Sequence, residues 1–152
     1  MASNPATNPL IAQGTLNRLR GSVVVQSLPN LNITSPFLGK EGIRLALEGE
    51  STAILQTMTG TATSPEPYMI ASVTAAVLKT NGLGAQYKAQ MEQNSVIGQI
   101  TVIPDTSALP QYTLYNCAIE SVREMPMDGT DATFTVTIRG YYVTNNNLWN
   151  LT

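Results

Sequence analysis

Glu120, Glu124 and Arg139 are the residues of this chain best placed to do chemistry. On an extended strand alternate residues share a face, so Glu120 and Glu124 project from the same side. Arg139 lies diagonal to Glu120 in the strand pairing derived below. Two carboxylates on one face could serve as acid and base in glycoside hydrolysis. A polar sheet face explains the same residues more simply, because no aromatic lining and no second constellation accompanies them. Glu48 and Glu50 flank Gly49 in a turn-like stretch and read as solvated carboxylates at a tip.

Other familiar chemistry is missing. The chain has no histidine, which removes the commonest general base and the commonest metal ligand. Its single cysteine, Cys117, excludes an intrachain disulfide and falls on an apolar strand face, where a small buried hydrophobe is the expected role. Gly82-Leu-Gly84 is followed by Tyr87 where a dinucleotide fingerprint needs glycine, and Gly39-Lys40 lacks the earlier glycine of a phosphate-binding loop. Asp128 and Asp131 flank a turn rather than forming a calcium loop. Asn32-Ile-Thr34 and Asn150-Leu-Thr152 match a glycosylation triplet that arises often by chance. No catalytic, metal or cofactor site is expected.

The composition points to partners. Only 12% of the 152 residues are charged and the net charge is −2, against about 25% charged in an ordinary soluble domain. So sparse a charged surface suits a subunit covered by neighbours. Arg18 and Arg20 form the densest basic spot, too small to replace phosphate counterions, so stable nucleic-acid binding is not expected. The N-terminal sequence lacks the basic and apolar regions of a secretory signal. No apolar run approaches the ~20 residues that span a bilayer. A cytoplasm-like compartment and no membrane partner are expected.

The elements that position Glu120 and Arg139 are two long strands. Tyr112 to Met125 and Asp131 to Thr144 alternate apolar and polar residues on either side of Asp128-Gly129. Asp-Gly suits a two-residue type I′ turn. That turn pairs Met127 with Thr130, and so Ile119 with Ile138. The apolar pattern gives the same register independently: Tyr115, Cys117 and Ile119 share a face with Phe134, Val136 and Ile138. The opposite face carries Asn116, Glu120 and Glu124 against Thr133, Thr135, Thr137 and Arg139. Strands this long exceed the usual ~5–6 residues and suit a shared sheet.

The rest of the chain reads as one domain over 1–152. Residues 1–14 form a flexible arm, and 145–152 a polar tail carrying Leu148, Trp149 and Leu151. Thr15 to Ser27 is a strand, turned by Leu28-Pro-Asn30, with Leu31 to Thr34 returning beside it. The loop from Ser35 to Gly42 carries Phe37 and Leu38, which either contact a neighbour or tuck onto the chain's own core. Ile43–Leu47 and Thr52–Met58 are expected to pair as a hairpin. Ser64-Pro-Glu-Pro67 resembles a helix start. Ile70, Val73 and Val77, then Leu83, Tyr87 and Met91, recur at helical spacing, giving two short helices or one kinked at its glycines. Residues 96–103 are another strand. The expected fold is mainly β, a barrel or sandwich of long antiparallel strands with one helical element on its flank.

Three segments together resemble the tail tube proteins of contractile-tailed bacteriophages. They are Ser64 to Met91, Ser95-Val-Ile-Gly-Gln-Ile-Thr-Val-Ile-Pro-Asp105, and Tyr112 to Glu120 with Phe134 to Tyr141. The resemblance implies hexameric rings stacked into a hollow tube inside a sheath, with DNA passing through the lumen during ejection. It implies sheath, baseplate and tail-terminator partners, and a place in a virion tail assembled in the bacterial host cytoplasm. Related tubes occur in R-type bacteriocins and type VI secretion systems. On this reading Glu120, Glu124, Thr135 and Thr137 line the lumen, with Arg139 neutralised by Glu120. The arm, with Leu10 and Ile11, and the Phe37–Leu38 loop join successive rings. A secretion or bacteriocin tube is one rival. A β-sandwich module that binds carbohydrate or protein is another, and would need a concave aromatic cluster that the scattered tyrosines do not announce.

Overall fold

The computed structural model describes residues 21–80, 82–105, 109–123 and 127–149. The N-terminal arm with Leu10 and Ile11, residue Glu124, and the end of the C-terminal tail lie outside the described residues. Six strands form one curled antiparallel sheet, a half-barrel. They are β1 (Gly21–Val25), β2 (Leu38–Glu48), β5 (Tyr68–Leu78), β6 (Val96–Pro104), β7 (Tyr112–Arg123) and β8 (Thr133–Val143), in the order β1-β6-β7-β8-β5-β2. Strands β3 (Thr52–Gln56) and β4 (Thr61–Pro65) pair only with each other, as a hairpin outside that sheet. Helix α1 (Leu83–Gln93) covers the sheet's core face, and a short helix α2 (Asn146–Trp149) follows β8.

The core lies on one face. Val23, Val25, Ala71, Val73, Ala75, Val77, Ile100, Leu114, Cys117, Ile119, Phe134, Val136 and Ile138 point into it from the strands. Leu83 and Tyr87 close it from α1, and Leu31 and Ile33 from the segment after β1. Gly84 lets α1 sit close to β8, since a Cβ there would lie 2.8 Å from Phe134 Cζ. The buried Tyr87 hydroxyl donates to the Leu31 carbonyl at 2.7 Å, tying helix to segment. Burial pushes the ionisation of that phenol far up, so it stays a donor at any physiological pH. Two members of the expected stripe on α1, Leu83 and Tyr87, are buried and the third, Met91, is exposed, while Lys88 and Glu92 pair on the outer side at 2.7 Å.

Four local expectations fail. First, Tyr68–Leu78 is strand β5, not helix. Ala71, Val73, Ala75 and Val77 are buried at a period of two, and the coincidental spacing of Ile70, Val73 and Val77 mimics a helical stripe. Ile70, Val73, Thr74 and Val77 are β-branched, and eleven ladder pairs with β8 fix them as strand. Only the Leu83–Gln93 half of the expected helical element is helical. Second, β2 does not pair with β3; it pairs with β5, and β3 pairs with β4 through a Thr57–Gly60 turn. Third, β7 and β8 do not meet at a two-residue turn. They end at Arg123 and begin at Thr133. Asp128 instead accepts from the Thr130 and Asp131 amides, each at 3.1 Å, as an Asx turn. Those amides hold its carboxyl below the usual carboxylate range. Fourth, Leu31–Thr34 makes no strand with β1, only a bridge between Val23 and Ile33.

The β7–β8 register is the expected one at its centre, Ala118 with Arg139 and Ile119 with Ile138. It slips by one residue on either side, at bulges in β7 near Asn116 and Glu120. Asn116 takes a left-handed φ of 50°, which asparagine tolerates better than most residues. The slip puts Leu114 in the core and moves Tyr115 to the opposite face, against the expected alternation. Neighbouring β6 answers with a bulge of its own beside Gly98 (φ +81°).

Tyr87→Phe removes the donor and leaves the Leu31 carbonyl buried and unpaired. Urea unfolding should show a loss of about 1–3 kcal/mol, the range for orphaning a buried polar group.

Candidate functional site: the uncovered sheet face

The face away from the core is read directly from the ladders. Crossing the sheet from β7 to β2, one row holds Tyr115, Tyr141, Ile70 and Glu48. The next holds Ala118, Arg139, Ser72 and Ala46, and the third Ser121, Thr137, Thr74 and Arg44. Thr135 stands one step further along β8. The face therefore has an aromatic end, a charged middle and a hydroxyl-rich end.

Arg139 is the centre of the charged middle. Its Nη1 donates to Glu120 Oε1 at 3.4 Å, and its Nη2 to Glu48 Oε2. Ser72 Oγ donates to the other Glu48 oxygen at 3.3 Å. Glu48 is thus the last residue of β2 and a partner of Arg139, not a solvated tip as its glycine-flanked sequence suggested. Sequence separation hid this partner: only the β2–β5–β8 ladder brings the two residues together. All three side chains stay partly exposed, 42% for Arg139, 45% for Glu48 and 33% for Glu120, so water screens the cluster. One guanidinium between two carboxylates leaves a net charge near −1 in the cluster, while Arg44 in the third row is an exposed cation on the same face.

The aromatic end supplies what the sequence did not announce. Tyr115 stacks on Tyr141, with ring centres 5.6 Å apart and planes 28° apart. Tyr68 meets Tyr141 edge-on at 5.9 Å. With Ile70, Asn116, Arg139 and Gly140, the rings of Tyr68 and Tyr141 line an open groove of about 700 Å³, and Tyr115 supports it by stacking on Tyr141. Tyr68, Tyr115 and Tyr141 sit on three different strands, and Tyr115 joins only because of the bulge at Asn116. A strict two-residue alternation along β7 cannot find it.

The remaining expected residues are placed as follows. Thr135 and Thr137 are half-buried on the uncovered face, with Arg139 and Glu120. Phe37 and Leu38 are half-buried and pack against the chain's own core. The Cys117 thiol is buried in that core, where burial pushes its pKa up to about 11, so it stays an unreactive thiol at neutral pH.

No protein-family model matches this chain, and no curated protein is similar to it in sequence. Among solved structures, the chain superposes on the tube-terminating cap of the anti-feeding prophage, seen by cryo-electron microscopy, over 91% of this chain and 97% of that one. The TM-score is 0.47 and the identity 12%. At those values the superposition assigns neither a family nor a function.

Arg139→Met removes the positive charge between the Glu48 and Glu120 carboxylates. Each exposed ion pair contributes about 0.2–1 kcal/mol, so the substitution should destabilise the protein by about 1 kcal/mol in low salt. Urea midpoints compared at low and molar salt should show the difference shrinking as salt rises.

Proposed function

We propose that this chain is a structural, non-enzymatic subunit of a phage-tail-like tube, assembled as stacked rings of identical copies around a central lumen. One observation carries the reading. A long curled sheet buries one face under α1 and, among the described residues, leaves the other uncovered, polar over most of its length and aromatic at one end. A lone soluble domain gains little from such a face, whereas a ring covers the aromatic end and turns the polar part inward. The sparse charge of the chain fits the same end.

The polar rows suit a lumen through which DNA passes. A polyanion slides past hydroxyls and neutralised charges, and would stall on free lysines or arginines through phosphate contacts. Here Arg139 is held by Glu48 and Glu120, and Arg44 is an exposed cation on the same face that such a lumen has to tolerate. Glu120, Glu124, Thr135 and Thr137 are proposed as lumen residues together with Arg139. Leu10, Ile11 and the exposed parts of Phe37 and Leu38 are proposed to join successive rings. The outer partners would be sheath, baseplate and terminator proteins. A bacteriocin or secretion tube uses the same architecture. The tyrosine groove favours a second reading, a module that binds carbohydrate or protein on its aromatic rings.

Negative-stain microscopy of the concentrated protein separates the readings. Hollow rings or tubes of uniform diameter are expected. A strict monomer at every concentration, with a glycan or protein ligand that quenches tyrosine fluorescence, would replace the tube with the binding module. In the particle, Glu120→Lys should leave assembly intact and lower DNA delivery, read as infectivity per assembled tail. Unchanged delivery would remove Glu120 from the lumen.

A further inference from the structure

The β3–β4 hairpin stands off the body of the protein. Ile54 and Leu55 point to opposite faces of the hairpin, yet both are exposed, at 67% and 56%, and Met58 at the turn is wholly exposed. A two-stranded hairpin in water is marginal on its own. This one is clamped at its base: the Glu66 amide donates to the Ser51 carbonyl at 2.9 Å, and Asn145 Nδ2 donates to the Ser51 and Glu66 carbonyls at 2.9 and 2.7 Å. Asn145 takes a left-handed φ of 54° to do so. The clamp holds an apolar tip outward, which is preorganisation for a partner. The strands also lack the lysines and inward charges that usually guard an exposed hairpin.

We infer that the tyrosine groove of one copy receives the β3–β4 hairpin of a second copy, Met58 and Leu55 foremost, in a head-to-tail contact. Charge selects this occupant. No residue from Ser51 to Pro65 is charged. Among the described residues that line the groove the cation is Arg139, which already has its carboxylates. An uncharged insert therefore strands no charge, while an acidic or basic one would meet a filled ion cluster. Methionine against tyrosine rings is a favourable pairing, and its flexible thioether adapts to an irregular groove. The hairpin does not fill its own groove, because Met58 is wholly exposed. A contact between unlike surfaces repeats from copy to copy, generating a ring or a filament. The inference deepens the tube reading and rests on it for its biological setting.

Cross-linking between full-length variants tests the contact. Met58→Cys and Ile70→Cys chains are mixed at equal concentration and treated with a short bismaleimide. Native Cys117 is buried and stays silent. The mixed pair should give covalent dimer in at least about tenfold excess over either variant alone, as a directed contact raises the local concentration of its two cysteines. Adding Tyr141→Ala to the Ile70→Cys chain should abolish the excess. Equal yields from mixed and single variants would overturn the inference, as would a dominant Met58→Cys homodimer, which would mean tip-to-tip pairing. If Ile70→Cys misfolds, Tyr68→Cys reports from the groove rim with the same criteria. Tubes without the mixed cross-link would sink the docking and spare the tube. The cross-link in a protein that never forms rings or tubes would do the reverse.

Discussion

A curled sheet has two faces, and among the described residues there is one helix of useful length with which to cover them. Helix α1 and the segment around Leu31 seal the core face, and the Tyr87–Leu31 hydrogen bond joins the two covers. Nothing among the described residues covers the second face. Its chemistry is accordingly that of a surface meant to be seen: hydroxyls on β8 and β5, an ion cluster at Arg139, and tyrosines at one end. The two sheet edges also approach without pairing. Strands β1 and β2 face each other across a cleft of about 260 Å³ lined by Ile43, Leu45, Val102 and Tyr112 among others. The half-barrel is thus complete as a core and incomplete as a surface.

The bulges in β7 make both faces work at once. Unbroken alternation from Tyr112 to Arg123 would have to put Leu114 and Cys117 on opposite faces, since their numbers differ in parity. The extra residue at Asn116 brings both into the core and sends Tyr115 outward to stack on Tyr141. The second slip, at Glu120, leaves that carboxylate exposed beside Arg139 and lets Val122 pack against the core. Two local irregularities therefore place one core leucine, the ring that stacks on Tyr141 of the groove and one partner in the ion cluster.

Much of this was legible in the sequence, and the parts that were not share a cause. The mainly-β class, the central β7–β8 register, the buried Leu83 and Tyr87 of α1 and the Glu120–Arg139 pair all follow from periodicity, although the turn expected to set that register does not form. What failed depended on partners distant in sequence. Ile70, Val73 and Val77 fit a helix as well as a strand until β8 supplies a ladder. Ile43–Leu47 has a plausible neighbour in β3, but β5 offers Ala71, Val73 and Ala75 to the same core, and burial on a central strand outweighs the shorter connection. Glu48 reads as a loop carboxylate because Arg139 lies far along the chain. The tyrosines read as scattered because three strands had to assemble, one of them bulged, before the rings met.

The ordering of chemistry along the uncovered face bears on how it could be occupied. Arg139 lines the groove beside Tyr68 and Tyr141, so a partner covering the rings also meets the ion cluster, and an insert without charge of its own leaves those pairs intact. The rings gather at the end nearest the base of the β3–β4 hairpin, with Glu48 closing β2 and Tyr68 opening β5 on either side of it. A partner can bury apolar area there while the partly exposed Thr137 and Thr74 keep their water. A covered end and a wet remainder on one continuous sheet is what a subunit needs if it must both hold a neighbour and present a passive wall. Burial drives the first task. The second relies on exposed hydroxyls and on a guanidinium already paired with two carboxylates.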